Sequence, residues 1–315
     1  MTEVGRTSAE LALTLPGRAD AGLRLAWGAA TDVGLKRKLN EDSYIAESPV
    51  FAVADGMGGH SAGDVASAAV VTRLAEALGP DFVEPSVIEL ALHDATDDIA
   101  RAAADLPLGV GTTVTGAALT LHDGEPYWVV FNVGDSRVYA WGAVGTPDSS
   151  ASESGASEST VADSTAAEST AAESGGELPA GLVQITVDHS VVQELVAAGL
   201  IRPEDAESHP ESNVITRAVG FNAEPRIDFW AVPARAGLRL LLCSDGLSKE
   251  LDDRAIGGIL GSGLSPVDAA EALVAAAVQS GGRDNVTTVV VDVVASDGEF
   301  EMEDTAPRSR RARPE

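Results

Sequence analysis

Four aspartates occupy the same kind of place in the local pattern. Asp55 follows the apolar run FAVA, Asp135 follows WVVFNVG, Asp245 follows LRLLLCS, and Asp284 precedes NVTTVVVDVV, each beside Gly, Ser or Asn. Runs this rich in β-branched and aromatic residues read as strands, so each carboxylate stands at a strand end and projects from a rigid element into the space outside a sheet. One such aspartate alone means little, because Asp and Gly are ordinary turn residues. Together with Glu41 and Asp42 of RKLNEDS they form a set of oxygen donors with no accompanying His or Cys pattern, which selects Mg²⁺ or Mn²⁺ over Zn²⁺. Two such ions about 3.5 to 4 Å apart hold a bridging water, lower its pKa and neutralise charge in an in-line phosphoryl displacement. That is a route to hydrolysis without a protein nucleophile.

The elements that must position these acids come in groups. Strand-like runs appear at LRLAWGAATDVG, YIAESPVFAVAD, GTTVTGAALTLHD, EPYWVVFNVGD, LRLLLCSD and NVTTVVVDVV. Helical spacing predicts a first helix pair over residues 61–78, with Val65, Ala69 and Leu74 inward, and 85–105, with Ile88, Leu92, Ala95 and Ile99 inward. Ser190 with Gln193, and Ser265 with Pro266 and Asp268, signal later helix starts, while Gly199 and Gly281 stand where helices should stop. Strands in groups and helices in pairs favour an α+β domain, not alternating βαβ units. VVFNVGDSRVYAW and LVQITVDHS read as a hairpin whose tip carries an insertion at about 145–181, rich in Ser, Ala and acid, with Glu153, Glu158, Asp163, Glu168 and Glu173 at every fifth position. A period of five presents no constant face to a helix or a strand, so a disordered loop is expected. Lengthening a closed loop tenfold costs only on the order of 2 kcal/mol. The expected layout is an N-terminal extension over 1–22, one domain over 23–296, and a disordered tail over 297–315.

Composition narrows the function classes. With 21 basic against 49 acidic residues in 315, the net charge is −28, which opposes binding to nucleic acid and anionic lipid. No run reaches the length of a membrane span, and the single Cys243, set in an apolar run, fits a reducing, cytoplasmic setting. A cysteine-dependent phosphatase would need Arg six residues after Cys243, where Lys249 stands. Neither DGMGGHS nor GVGTTV has the spacing of a nucleotide-binding glycine loop.

The segments DVGLKRKLNEDS, VFAVADGMGGHSAGDVAS, GTTVT, FNVGDSRVYAW, VDHSVVQELVAAG, NVITRAVG, LLLCSDGL and GGRDNVTTVVV resemble, in order and spacing, bacterial PP2C-type (PPM family) metal-dependent serine/threonine protein phosphatases. The likeness covers residues 23–294 apart from the insertion. It implies a central β-sandwich of two antiparallel sheets flanked by helix pairs, with a dinuclear Mg²⁺ or Mn²⁺ centre that dephosphorylates phosphoserine and phosphothreonine in proteins, opposing Ser/Thr kinases. Carried over by motif, Asp55 would bridge both metals, Gly56 would offer its carbonyl, and Asp245 and Asp284 would complete the direct ligands. Glu41 and Asp42 would act through metal-bound waters. Asp135 would share a third, weaker ion with Asp245, and Arg37 would grip phosphate with its planar fork. At Met57 the chain departs from the eukaryotic pattern, in which a histidine protonates the leaving alkoxide. His60 is a weak substitute, and His189 reads as a brace for the helix beginning at Ser190. Residues 200–214 occupy the place of the family's flap. The rival reading is a non-catalytic phosphoprotein-binding or regulatory module on the same fold, and the complete ligand set favours the enzyme.

Overall fold

Period-two alternation with both faces apolar is what a strand needs if it is to lie between a second sheet and a layer of helices. In a computed structural model the chain takes up that arrangement; the structure describes residues 1–5, 8–58, 62–102, 110–142, 181–221 and 224–294. The expectations for most of the insertion, for the C-terminal tail and for His60 lie outside the described residues.

One sheet is built from β1 (Glu3–Gly5), β4 (Asp42–Glu47), β5 (Val50–Met57), β7 (Val114–His122), β8 (Glu125–Val133) and β11 (Asp228–Pro233), in that spatial order, with β6 (Gly111–Thr112) on the end of β5. The other runs β10 (Gly181–Gln184), β9 (Arg137–Gly142), β12 (Arg239–Cys243), β13 (Val286–Val294), β3 (Arg18–Asp32) and β2 (Ser8–Leu15). Pairing is antiparallel throughout except for the short edge strand β1, which runs parallel to β4. Gly142 opposes Gly181, so β9 and β10 are the two arms of the hairpin expected around the insertion. The N-terminal residues set apart as an extension supply an edge strand to each sheet, and the alternate Leu13 and Leu15 of β2 are buried.

β5 shows how the layers are made. Phe51 and Val53 point between the sheets, where Trp27, Phe51 and Trp128 meet edge to face at centroid distances of 5.3 and 5.8 Å. Val50, Ala52 and Ala54 point the other way, onto α1 (Ala62–Ala75) and α2 (Pro85–Ala102). Ile88, Leu92, Ala95 and Ile99 of α2 are all buried, as their spacing requires. On α1 the expectation was displaced by one residue: Ala66, Val70 and Leu74 are buried, Ala69 is half-buried, and Val65 is 46% exposed. Apolar residues, mostly Ala and Val, occur all round the first helix, so its periodicity barely distinguishes the faces, and the position of α2 decides which one is covered.

The outer face of the second sheet buries Tyr139, Leu241, Cys243 and Val290 under α5 (Asp253–Leu260) and α6 (Pro266–Ser280). Ser190 caps α3 (Val191–Ala197) by accepting from the Gln193 N–H, and Ser265 caps α6 by accepting from that of Asp268. Gly199 has the left-handed φ of +68° expected after α3, but at the end of α6 that conformation falls on Gly282 (φ +52°), with Gly281 extended before it. The strand β11 was not expected from the sequence. Its face is only half-buried, and its pairing with β8 is a tertiary choice that no local pattern announces. Among the described residues no helix is long and apolar enough to cross a membrane.

Candidate active site

The acids singled out by their places at strand ends meet at one end of the sandwich. Asp55 lies near the end of β5, Asp135 in the turn between β8 and β9, Asp245 at the start of the short helix α4 (Asp245–Ser248) that follows β12, and Asp284 just ahead of β13. With Arg37, Glu41 and Gly56 they line a single cleft of about 840 Å³. Asp42 is not on its wall. It lies directly behind, fully buried and paired with Asp55 in the register of β4 and β5.

Close packing of backbone holds these acids in place. A Cβ on Gly56 would stand 2.1 Å from the carbonyl oxygen of Gly63 and 2.6 Å from that of Glu41, so only glycine lets β5, the start of α1 and the loop before β4 come together here. Thr112 and Thr113 clasp Asp55 from the next strands: its carbonyl accepts from Thr112 Oγ1 at 2.8 Å and from the Thr113 N–H at 2.9 Å. Asn285 ties the loop before β4 to Asp284. Its Nδ2 donates to the carbonyls of Val33 (3.0 Å) and Leu39 (2.9 Å), and its Oδ1 accepts from the Glu41 N–H at 2.8 Å. His189 braces the Asp135 turn, with Nδ1 accepting from the Gly134 N–H at 3.0 Å and the His189 backbone N–H donating to the Gly134 carbonyl at 2.9 Å. Its Nε2 lies 3.0 Å from Asp228. The structural part read from the sequence holds, but what His189 braces is the Asp135 turn and not the helix beginning at Ser190, and both ring nitrogens are engaged.

Crowding sets the electrostatics. Burial, and then Asp42, Asp245, Asp135 and Asp284, push the Asp55 carboxyl well above its usual range. Burial also raises Asp42 to about 7, although Thr287 Oγ1 (2.7 Å) and Ser244 Oγ (2.9 Å) both donate to its Oδ2. Asp135 is raised to about 7 by burial and by Asp245. Glu41 is raised by burial and by Asp64. Two oxygens, Asp42 Oδ1 and Asp245 Oδ1, are buried with no hydrogen-bond partner. The wall carries eight acids against four bases, Arg37, Arg137, Lys249 and Arg283, so a phosphate would be repelled unless cations entered first.

Each of these bases is already engaged. Arg37 Nη2 is 2.7 Å from Asp284 Oδ2, a hydrogen bond that raises the arginine's pKa further. Arg137 chelates Asp188, Arg283 holds Glu250, and Lys249 pairs with Asp245. Among the described residues no three carboxylate, imidazole or thiolate side chains close on one point. The acids ring a cleft instead. Ions that keep several waters and take one or two carboxylates each fit that spacing, and the orphaned, mutually raised carboxyls supply the charge such ions would compensate.

Sequence reasoning did not find Lys249, Asn285 or the Arg137–Asp188 pair. Lys249 had one available signal, its place one helical turn after Asp245. Met57 lines the cleft and has no proton to give. The expected flap contributes Ala206, Glu207, Ser208, Ser212 and Asn213 to the same wall.

Known proteins resemble this chain in sequence and in fold. Residues 37–278 match the family model described as Protein phosphatase 2C. The chain is 37% identical over 283 residues to the serine/threonine protein phosphatase PstP of Mycobacterium tuberculosis, covering 87% of this chain and 46% of that protein. It is 32% identical to the serine/threonine phosphatase stp of Listeria welshimeri, over 83% of this chain and 93% of the relative. The chain thus spans about half the length of PstP but nearly all of stp. The crystal structure of the PstP catalytic domain in complex with two manganese ions superposes with a TM-score of 0.66 at 34% identity, covering 87% of this chain and all of that one.

Proposed function

Because the chain belongs to the protein phosphatase 2C family, we propose that it hydrolyses phosphoserine and phosphothreonine in proteins at the cleft ringed by Asp55, Asp135, Asp245 and Asp284. The observation that carries the reading is the convergence of acids from five separate chain segments (Glu41, Asp55, Asp135, Asp245 and Asp284) on one cleft, with the Asp55 and Asp135 carboxyls raised by burial and neighbouring acids and one Asp245 oxygen left orphaned. Asp55, the Gly56 carbonyl, Asp245 and Asp284 are the proposed direct ligands of two Mn²⁺ or Mg²⁺ ions. Glu41 on the wall and Asp42 behind it act through water. Asp135 with Asp245 is the candidate pair for a third, weaker ion. Bound there, such ions would acidify water and offset the charge that gathers on the phosphoryl oxygens.

The chain's own residues bind and orient. Arg37 is half-exposed at the cleft and commits only Nη2 to Asp284, so its other donors are left for phosphate oxygens in the planar geometry a guanidinium provides. The Asn285 bridge keeps Arg37's loop and Asp284 in fixed relation. The cleft is open and polar enough for a phosphorylated side chain on a polypeptide, with the wall of residues 206–213 beside it. Ser/Thr kinases and their targets are the proposed physiological counterparts. The test is Mn²⁺- or Mg²⁺-dependent hydrolysis of p-nitrophenyl phosphate and of a phosphothreonine peptide, abolished by chelator. Asp245→Asn is expected near background with its circular dichroism retained. Undiminished turnover by that variant would refute the assignment, and binding of the phosphopeptide without turnover by the native chain would favour a regulatory module.

A further inference from the structure

Lys249 stands at the C-terminal cap of α4, one turn after Asp245, on the cleft wall. Its ammonium pairs with Asp245 Oδ2 and lies 3.9 Å from Asp135 Oδ2. The two acids come from different strand ends, and the side chains of Asp245 and Asp135 are only 12% and 9% exposed, against 35% for the lysine. Two nearly buried carboxylates sharing one cation repel each other less with it, or with a substitute for it, than without. A lysine ammonium is charged near neutrality, so what faces the two acids here is a cation. A divalent ion entering between the same two acids would meet that ammonium within a few ångströms, where like charges repel strongly in a partly desolvated site.

We infer that Lys249 is the built-in counter-ion of the Asp135–Asp245 pair, and that it limits this chain to two tightly held ions by occupying the place a third would take. The inference rests on the two-ion reading above and, at the Asp135–Asp245 pair, replaces the third ion proposed there with the lysine. Lysine supplies one positive charge where an ion would supply two, and it is covalently attached, so part of the pair's charge is offset at any metal concentration.

The test counts ions instead of turnover. Chelator-treated native chain, Lys249→Met, Lys249→Gln and Lys249→Arg are titrated with Mn²⁺ by calorimetry and by equilibrium dialysis, each variant first matched to native by circular dichroism. The expected result is two ions for the native chain and for Lys249→Arg. Lys249→Met and Lys249→Gln should gain a third, at least about tenfold tighter than any third binding to the native chain, a modest response to removing a unit charge at this range. Adding Asp135→Asn to Lys249→Met should return the count to two. Two ions in all four proteins, or a third that binds the native chain as tightly as the Met variant, would overturn the inference while leaving the two-ion reading intact. No ion in the native chain would overturn both.

Discussion

Asp42 offers a quantitative check on how the site is built, because it is a carboxyl sealed behind the cleft with one oxygen bonded and the other orphaned. Burial raises its folded pKa from 3.8 to about 7. A group raised on folding binds its proton more tightly in the native state, so the native state holds more protons between those two values and stability falls as pH rises through them. The contribution is fully present below 3.8 and gone above about 7. The gap corresponds to about 4 kcal/mol as an upper bound, which relaxation and water entry would roughly halve. In chelator, Asp42→Asn should keep the acceptor for Ser244 and Thr287 while removing the charge. Its orphaned amide takes the place of the orphaned oxygen or hydroxyl, at a similar cost on either side of the titration. Urea unfolding of both proteins from pH 4 to pH 8 is the assay. The difference in unfolding free energy should be near zero at pH 4 and grow to about 2 to 4 kcal/mol in favour of the variant by pH 8. A difference that stays flat across this range would refute the claim that burial dominates at Asp42.

Three further outcomes follow from the same geometry. Arg37→Ala should lower kcat/KM for p-nitrophenyl phosphate about tenfold to a hundredfold, mainly through KM, with Arg37→Lys recovering only part, since a charged hydrogen bond is worth about 1.5–3 kcal/mol and the site is half-exposed; an unchanged KM would contradict its place on the phosphate. Asn285→Ala removes hydrogen bonds to Val33, Leu39 and Glu41, so a loss of about 2 to 4 kcal/mol is expected by denaturant titration, together with weaker Mn²⁺ binding. Gly56→Ala has no room beside Gly63 and Glu41, and should lose activity more than stability if the strand end shifts to admit the methyl group; full activity would show that the close approach is dispensable.

What could be read in the chain itself was whatever is local. The strand runs, the caps at Ser190 and Ser265, the spacing of Ile88, Leu92, Ala95 and Ile99, and the aspartates at strand ends each depend on a few neighbouring residues, and each stands where that logic puts it. The features that escaped depend on distant partners. Asn285 joins residues about 250 positions away, β11 forms only because β8 offers an edge, and the face of α1 that is buried depends on α2. Glu41 and Asp42 are neighbours in the chain, yet one lines the cleft and the other lies sealed behind it, because β4 begins between them and alternation sends consecutive side chains to opposite faces.

The central claim is that these acids exist to gather divalent ions, and Asp55 is its focal residue. Mn²⁺ binding to chelator-treated native chain and to Asp55→Asn, followed by electron paramagnetic resonance of the free ion with the fold checked by circular dichroism, tests it without reliance on any substrate. Two tightly bound ions are expected for the native chain, and the loss of both, or of all but weak binding, when the one carboxylate proposed to touch each is neutralised. Equal uptake by the two proteins would contradict it.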